Sequence, residues 1–523
     1  MTLNRRSFLL GSAAAATLAG CATGKTGVRA LKPGEKRRVA MIGYGIQMRT
    51  ALIPQFSGTS KYCAKLRDTV KIVAVCDCDK TRAEAGAKQV NEIYGDSACK
   101  AVLDFREVIA DPMIDAVCIA TPDHWHAYMC VEAMKHGKDV YCEKPLTFSP
   151  EEAKKVIEAQ RKYDRVFQTG SMQRSWAEVS EFRAACMIVR NGGIGTLKYV
   201  DANYGIGGKK LGGPSHPLRF FDDPKNAAAE SDGYEQLGAW GWNMWLGPAK
   251  WRPYSNMLAP KGVNKFYPMF WRFDDDIGTG YNGDWGAHHL DIAQWGMDMD
   301  KSGPYKIIRS DEPYSTDLYH GGRRQYGMKM LFKGKDGGDI ELYHGPFGVV
   351  TGSGGWGTVF YGTDGIVAVN RGKIAVWKGT GLVKPDLEIR KQIETAEFMK
   401  DKIVAASVGK DYGTDAMVKK DDALAKALAT LIGYFKLESA PVQLYKSVNQ
   451  VVNFCECIET RKETVSPAET GARGAILCQL CNMSYVYDTG FDWDPERLEF
   501  ANGTGDPAWL KRASYRNGWD VVV

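Results

Sequence analysis

The sequence lacks most of the features that settle a function class at a glance. Its charge is nearly balanced, 68 Lys and Arg against 62 Asp and Glu in 523 residues, for a formal net charge of +6. A binder of phosphate backbones shows a basic stripe or a far larger surplus, so nucleic acid is not expected as a partner. No short internal repeat or low-complexity tract appears beyond the first twenty residues. The apolar run near the amino terminus falls short of the roughly 20 residues that crossing a bilayer takes. Among 13 cysteines there is one CxxC, Cys478 and Cys481, with no second pair at zinc-finger spacing. Its flanks, Ala475-Ile476-Leu477 and Met483, look helical, and no metal site is expected.

What is present is an ordinary soluble composition, 44% hydrophobic and 25% charged. Disorder, collagen and a small stapled scaffold are excluded, and at roughly 100 to 200 residues per domain the length allows two to four domains. Most cysteines lie in apolar runs such as Val75-Cys76-Asp77-Cys78 and Val117-Cys118-Ile119. A free thiol there behaves as a small buried hydrophobe.

Asn4-Arg5-Arg6-Ser7-Phe8-Leu9-Leu10 sets a twin arginine before an apolar run that continues to Gly20. It reads as an export signal and not as an anchor. Leu18-Ala19-Gly20-Cys21 resembles a bacterial lipobox, in which Cys21 would be acylated after cleavage. The expectation is a signal over residues 1–20, a tether over 21–35, export by the twin-arginine route and a lipid anchor on the periplasmic side. That route is understood to carry folded proteins, which would account for unpaired thiols in an exported chain.

From Arg37 the apolar strand Val39-Ala40-Met41-Ile42 runs into Gly43-Tyr44-Gly45. Gly43 permits a tight turn and Gly45 lets backbone amides approach a pyrophosphate at the following helix N-terminus. Met48 stands where the third glycine of the fingerprint belongs. A second strand, Val70 to Cys76, ends at Asp77, placed to bond adenosine ribose hydroxyls and to repel a 2′-phosphate. The alternative is that Asp77 caps the helix expected from about Lys80. Gly58 to Lys71 reads as an insertion. Further strands end in Thr121-Pro122-Asp123-His124-Trp125-His126 and, after a helix from Tyr128 to His136, in Glu143-Lys144-Pro145. A helix from Pro150 to Tyr163 and the strand Val166-Phe167-Gln168 complete the alternation of a doubly wound sheet, with polar tips at the carboxyl ends where such sheets bind ligands.

Beyond Gly170 the composition shifts toward Trp, Tyr and Gly, and Leu197–Tyr204, Tyr326–Phe332, Asp339–Tyr343 and Gly357–Tyr361 alternate like strands of one sheet. Asp284 and His288 are four apart, which on a helix puts them on one face. Such a carboxylate can orient an imidazole that accepts a proton near neutral pH, although this spacing more often marks a surface or capping pair. His289 and Asp291 do not extend the pair to a metal site, because neighbours on a helix point in different directions.

The glycine turn, Ala120-Thr121-Pro122 with His126, Glu143-Lys144-Pro145 and Gly283-Asp284-Trp285-Gly286-Ala287-His288 resemble the glucose-fructose oxidoreductase, inositol dehydrogenase and rhizopine catabolism family, Gfo/Idh/MocA. The likeness runs from about residue 37 to the closing Ser514-Tyr515-Arg516-Asn517-Gly518-Trp519. The resemblance implies a Rossmann domain (36–168) followed by a substrate and oligomerisation domain (169–523) with an open, mostly antiparallel sheet, in a homo-oligomer. It implies His288 as general base oriented by Asp284, and Lys144 beside the nicotinamide; the proline that follows suggests a cis bond holding the lysine at its strand tip. Thr121, Pro122, His126 and Glu143 would line the nicotinamide, and Gln173 and Arg174 would reach nicotinamide or substrate. Of Trp240, Trp242, Trp245, Trp251 and Trp271, one or two would stack on a sugar ring, with Trp242 taken as the candidate.

The expected function is hydride exchange between a ring hydroxyl of a sugar, glycoside or cyclitol and a tightly held NAD, with NADP left open by Arg82. Glycoside 3-oxidation and ping-pong transfer between two sugars both fit. The alternatives are redox-neutral glycoside cleavage by oxidation and elimination, and a non-catalytic sugar-binding lipoprotein.

Overall fold

The computed structural model describes residues 29–175, 180–202, 231–256, 258–263, 270–319, 323–344, 357–379, 400–407, 422–512 and 515–523. Arg5, Arg6 and Cys21 of the expected export signal, Asn203 and Tyr204 of the expected strand, and Ser514 lie outside them. Among the described residues no helix is long and apolar enough to cross a membrane.

Six parallel strands form the first sheet: β1 (Arg37–Ile42), β2 (Val70–Cys76), β3 (Lys100–Val102), β4 (Ala116–Ile119), β5 (Asp139–Cys142) and β6 (Phe167–Thr169). Their order is β3-β2-β1-β4-β5-β6, the doubly wound order that reverses between β1 and β4 and opens a crevice at the ends of those strands. The central strands read as continuous apolar runs because helices cover both faces. Val117, Cys118 and Ile119 on β4 are fully buried, as are Val39, Ala40 and Met41 on β1. The helices are set by their caps. Asp79, and not Asp77, caps Lys80–Tyr94 by accepting from Thr81 N and Arg82 N. Ser149 caps Pro150–Tyr163, whose proline occupies the first turn where its missing N–H costs nothing.

The second sheet holds β7 (Leu197–Ala202), β8 (Lys306–Tyr319), β9 (Arg323–Lys333), β10 (Asp339–His344), β11 (Thr358–Gly362), β12 (Gly365–Asn370), β13 (Lys373–Lys378), β14 (Ile403–Ser407), β15 (Phe491–Asp494) and β16 (Glu499–Phe500). The order is β14-β13-β12-β11-β7-β10-β9-β8-β15-β16. Only β7 and β10 pair parallel among these described strands, so the sheet is mixed and mostly antiparallel, as expected. Helix Ala287–Met297 packs between this sheet and Ala468–Val486. Near the carboxyl end, helix Gln450–Thr460 turns back onto the first sheet, packing Phe454 on Tyr141 and adding Val451 and Ile458 to the core that holds Val39 and Met41.

All twelve described cysteines are free, and all but Cys78 are buried. Cys478 and Cys481 lie inside helix Ala468–Val486, where the Cys478 thiol donates to the Gly474 carbonyl.

Candidate functional site

The crevice at the head of β1 is shaped by what its glycines permit. Gly43 takes φ +88°, and a Cβ there would meet the Ala120 carbonyl oxygen at 2.8 Å, so β4 could not close up beside a larger residue. A Cβ on Gly45 would meet nothing within 4 Å, which leaves open space above the helix that begins there. Met48, in place of the third glycine, is fully buried where the helix widens into a π turn at Met48–Leu52. At the end of β2, Asp77 accepts from Tyr44 N at 2.8 Å on one carboxylate oxygen and from Asp79 N at 2.9 Å on the other. It is therefore held rigidly beside the glycine turn. An open cradle at a helix N-terminus, with a fixed carboxylate one strand away, fits a dinucleotide.

On the other side of the switch point, His126 bridges the two strand tips. Its Nδ1 lies 2.7 Å from the Pro145 carbonyl and its Nε2 2.9 Å from the Thr121 carbonyl. The Lys144-Pro145 peptide is cis. The neighbouring Glu143 carboxylate accepts from Gln47 Nε2 at 3.2 Å and from the Tyr141 hydroxyl at 3.3 Å. Burial pushes that carboxyl upward, against the charge of Lys144. A Cβ on Gly170 would strike the Glu143 carboxylate at 2.9 Å, so glycine is needed there.

The second half of the chain delivers Asp284 and His288 to the same place. Asn282–Gly286 forms a π turn leading into helix Ala287–Met297. Gly283 allows the turn to approach, since a Cβ there would lie 1.7 Å from Thr279 Oγ1 and 3.2 Å from the Pro145 ring. The turn is tied down by Asn282 donating to Asn482, which donates in turn to the Thr279 carbonyl, and by Thr279 donating to the Asp123 carboxylate. Lys144 Nζ then donates to the Asp284 carbonyl at 2.7 Å and to its carboxylate at 2.8 Å. Arg272 reaches the other carboxylate oxygen at 3.3 Å. Burial alone would raise the Asp284 carboxyl; the two cations outweigh it and hold it at about 2.

His288 is buried close by, with Nδ1 unpartnered by any hydrogen bond. Its imidazole is held well below its ordinary pKa by burial first, then by the charges of Arg371, Lys144 and His289. The expected pairing of Asp284 with His288 is therefore corrected: both Asp284 oxygens serve Lys144 and Arg272. The i, i+4 rule assumes α geometry, and Asp284 sits in the wider π turn before the α-helix starts. His289 packs against Gly357, whose Cβ would lie 2.0 Å from its ring.

Three further expectations are corrected. Gln173 and Arg174 do not point into the crevice. Gln173 lies beneath it, 1% exposed, donating to the His288 carbonyl at 3.3 Å and accepting from Arg371 Nε at 3.1 Å. Arg174, also 1% exposed, forks onto Asp291 at 2.8 Å with two nitrogens and onto Asp300 at 2.7 and 2.9 Å. Trp242, 2% exposed, stacks on Trp245 at 5.1 Å and donates to the Arg252 carbonyl, so no face is open to a sugar. Trp240 and Trp251 are the exposed members of that cluster.

Residues not anticipated from the sequence are Arg272, Arg371, Gln47 and the Asn282–Asn482 pair. Arg371 lies in the β12–β13 turn, 5.1 Å over the Trp285 ring. No local motif marks any of them, since each meets its partner only through tertiary contact.

Residues 37–171 match the GFO_IDH_MocA family, described as an oxidoreductase family with an NAD-binding Rossmann fold. The scyllo-inositol 2-dehydrogenase (NAD(+)) of Bacillus subtilis (strain 168) is 39% identical over 105 residues, 20% of this chain and 29% of that protein. The matches span about a third of the length of the curated relatives. Solved structures share the fold over 88% of the chain at 15% identity. They include a levoglucosan dehydrogenase in complex with NADH and levoglucosan, with a TM-score of 0.51 over 100% of that chain. An aldose-aldose oxidoreductase from Caulobacter crescentus complexed with glycerol has a TM-score of 0.50, also over 100% of that chain. Residues 37–171 thus match the NAD-binding Rossmann unit of that oxidoreductase family.

Proposed function

We propose that the protein is an NAD-dependent oxidoreductase acting on a ring hydroxyl of a sugar, glycoside or cyclitol. The observation that carries this is convergence: Lys144 from the tip of β5 meets Asp284 from the second half at 2.8 Å, with His288 beside them, next to the Rossmann crevice. NAD, when bound there, supplies a hydride acceptor. The protein's own groups handle the proton. The Lys144 ammonium, oriented by Asp284, donates a hydrogen bond to the substrate oxygen and stabilises the developing alkoxide. The His288 imidazole, uncharged in its buried place, accepts the hydroxyl proton. Names of relatives support the substrate class, since an inositol dehydrogenase and a levoglucosan dehydrogenase both act on ring polyols.

The twin arginine and Cys21 add the proposal that the folded protein is exported and lipid-anchored. Away from a nucleotide pool, its NADH would be reoxidised in place by a second sugar or ketose. The test is to denature the purified protein, identify any released nucleotide by mass spectrometry, and screen monosaccharides, disaccharides and inositols for a change in nucleotide redox state. Reduction by at least one polyol is expected. A protein that binds no dinucleotide and turns over none of them refutes the reading.

A further inference from the structure

Residues 237–256 and 258–263, from the second half of the chain, touch the Rossmann domain on both sides of its crevice. On the adenosine side, Arg82 Nη2 donates to the Pro260 carbonyl at 2.8 Å. Gly241 comes so close to the end of β2 that a Cβ there would stand 3.0 Å from the Cys78 carbonyl oxygen. Val263 packs against the core that includes Tyr44 and Met48. On the nicotinamide side, Trp125 Nε1 donates to the Met244 and Trp245 carbonyls at 3.1 and 3.2 Å, and His124 Nε2 lies 3.1 Å from the Trp245 carbonyl. The segment has a small core of its own. Trp242, Leu246, Ala249, Tyr254, Leu258 and Ile277 form a separate small core, and Arg516 near the carboxyl end grips the Ala249 carbonyl.

The topology turns these contacts into a statement about the ligand. The segment is fastened to the ends of β2 and β4, and β1 with its Gly43-Tyr44-Gly45 turn lies between those two strands. A chain tied at both sides spans the middle, which is where a dinucleotide pyrophosphate rests in this strand order. We propose that residues 237–263 are a strap that encloses the dinucleotide and makes it a retained group, replaced far more slowly than the enzyme turns over. This rests on the reading of the crevice as an NAD site. Dissociation then requires the strap to detach from β2 or β4, and the β2 side, held by the Arg82–Pro260 hydrogen bond and the close approach of Gly241 to Cys78, can be loosened by single substitutions.

The test is exchange, read without any substrate. Wild-type protein, Gly241→Val and Arg82→Ala are each incubated with isotopically labelled NAD, and the label in the protein-bound nucleotide is followed by mass spectrometry. Gly241→Val forces the strap away from Cys78, and Arg82→Ala removes the bond to Pro260; circular dichroism identifies any variant that fails to fold, leaving the other to decide. Loss of one such hydrogen bond corresponds to about tenfold faster exchange. Slow exchange in the wild type, faster exchange in the folded variants and partial recovery in Arg82→Gln support the strap. Rapid wild-type exchange, or variants that exchange as slowly as wild type, overturn it while leaving the NAD site standing. Absence of any bound nucleotide, labelled or unlabelled, in the denatured wild-type protein overturns the NAD reading itself.

Discussion

The Lys144 ammonium and the Asp284 carboxylate, 2.8 Å apart, join the two halves of the chain at the one point where cofactor and substrate chemistry would meet. Each side is fixed from behind. Lys144 rides on a strand tip bridged by His126, and Asp284 on a turn held by Asn282, Asn482 and Thr279. The pair is oriented before any ligand arrives, which is the condition for charge stabilisation without reorganisation.

Lys144→Ala is expected to reduce kcat by about 10²- to 10⁴-fold while the nucleotide stays bound. The same pair sets an acid dependence. The Asp284 carboxyl is lowered from 3.8 to about 2, so its stabilising contribution is complete above the unfolded value and is lost as pH falls through about 2. Asp284→Asn should therefore lose about 2 kcal/mol at neutral pH by urea titration, with the deficit disappearing toward pH 2. Equal deficits at both pH values would contradict the pairing.

His288 gives a second pH signature. Burial and the charge of Arg371 lower its pKa well below 6.5, so the imidazole is ready to accept a proton across the neutral range. The acid limb of kcat/KM should lie clearly below pH 6.5. Arg371→Gln removes a positive charge, favours the imidazolium, and should move that limb upward. A limb unmoved by the substitution would show that Arg371 does not act on His288.

The local alternation of the first sheet was legible because each buried strand is one apolar run bounded by polar tips. The expected Val70–Cys76 strand and Pro150–Tyr163 helix coincide with those observed. The Lys144–Asp284 bond was not legible, because nothing local marks a partner 140 positions away. Nor was the role of Asp291 and Asp300, which hide the guanidinium of Arg174 completely. A polar residue beside a site motif looks the same in sequence whether it faces ligand or core. Only the position of its counter-charge decides.

That distinction yields a prediction for Arg174. Its guanidinium is buried between two carboxylates and stacks 5.1 Å from Trp295. Arg174→Met leaves Asp291 buried without its cation and should cost about 3–5 kcal/mol. The folded fraction should keep the wild-type KM for both substrate and nucleotide. A raised KM with unchanged stability would return Arg174 to the substrate site.

His344 offers a sharper test of how burial shapes stability against pH. It sits at the end of β10 with Nδ1 3.3 Å from the Ala202 carbonyl, and burial lowers its imidazole from 6.5 to about 4. The unfolded chain takes up a proton below pH 6.5, while the folded protein does not until about 4. Between those values the unfolded state binds more protons, so stability falls as pH falls, by about 1.4 kcal/mol per unit for this one group. His344→Gln removes the titration. Between pH 7.5 and pH 5 the unfolding free energy of the wild type should therefore drop by about 2 kcal/mol more than that of the variant. Other buried groups titrate equally in both proteins and cancel in the difference. Parallel stability curves for the two would mean that the His344 imidazole is protonated in the folded state, and that its surroundings are wetter than their packing indicates.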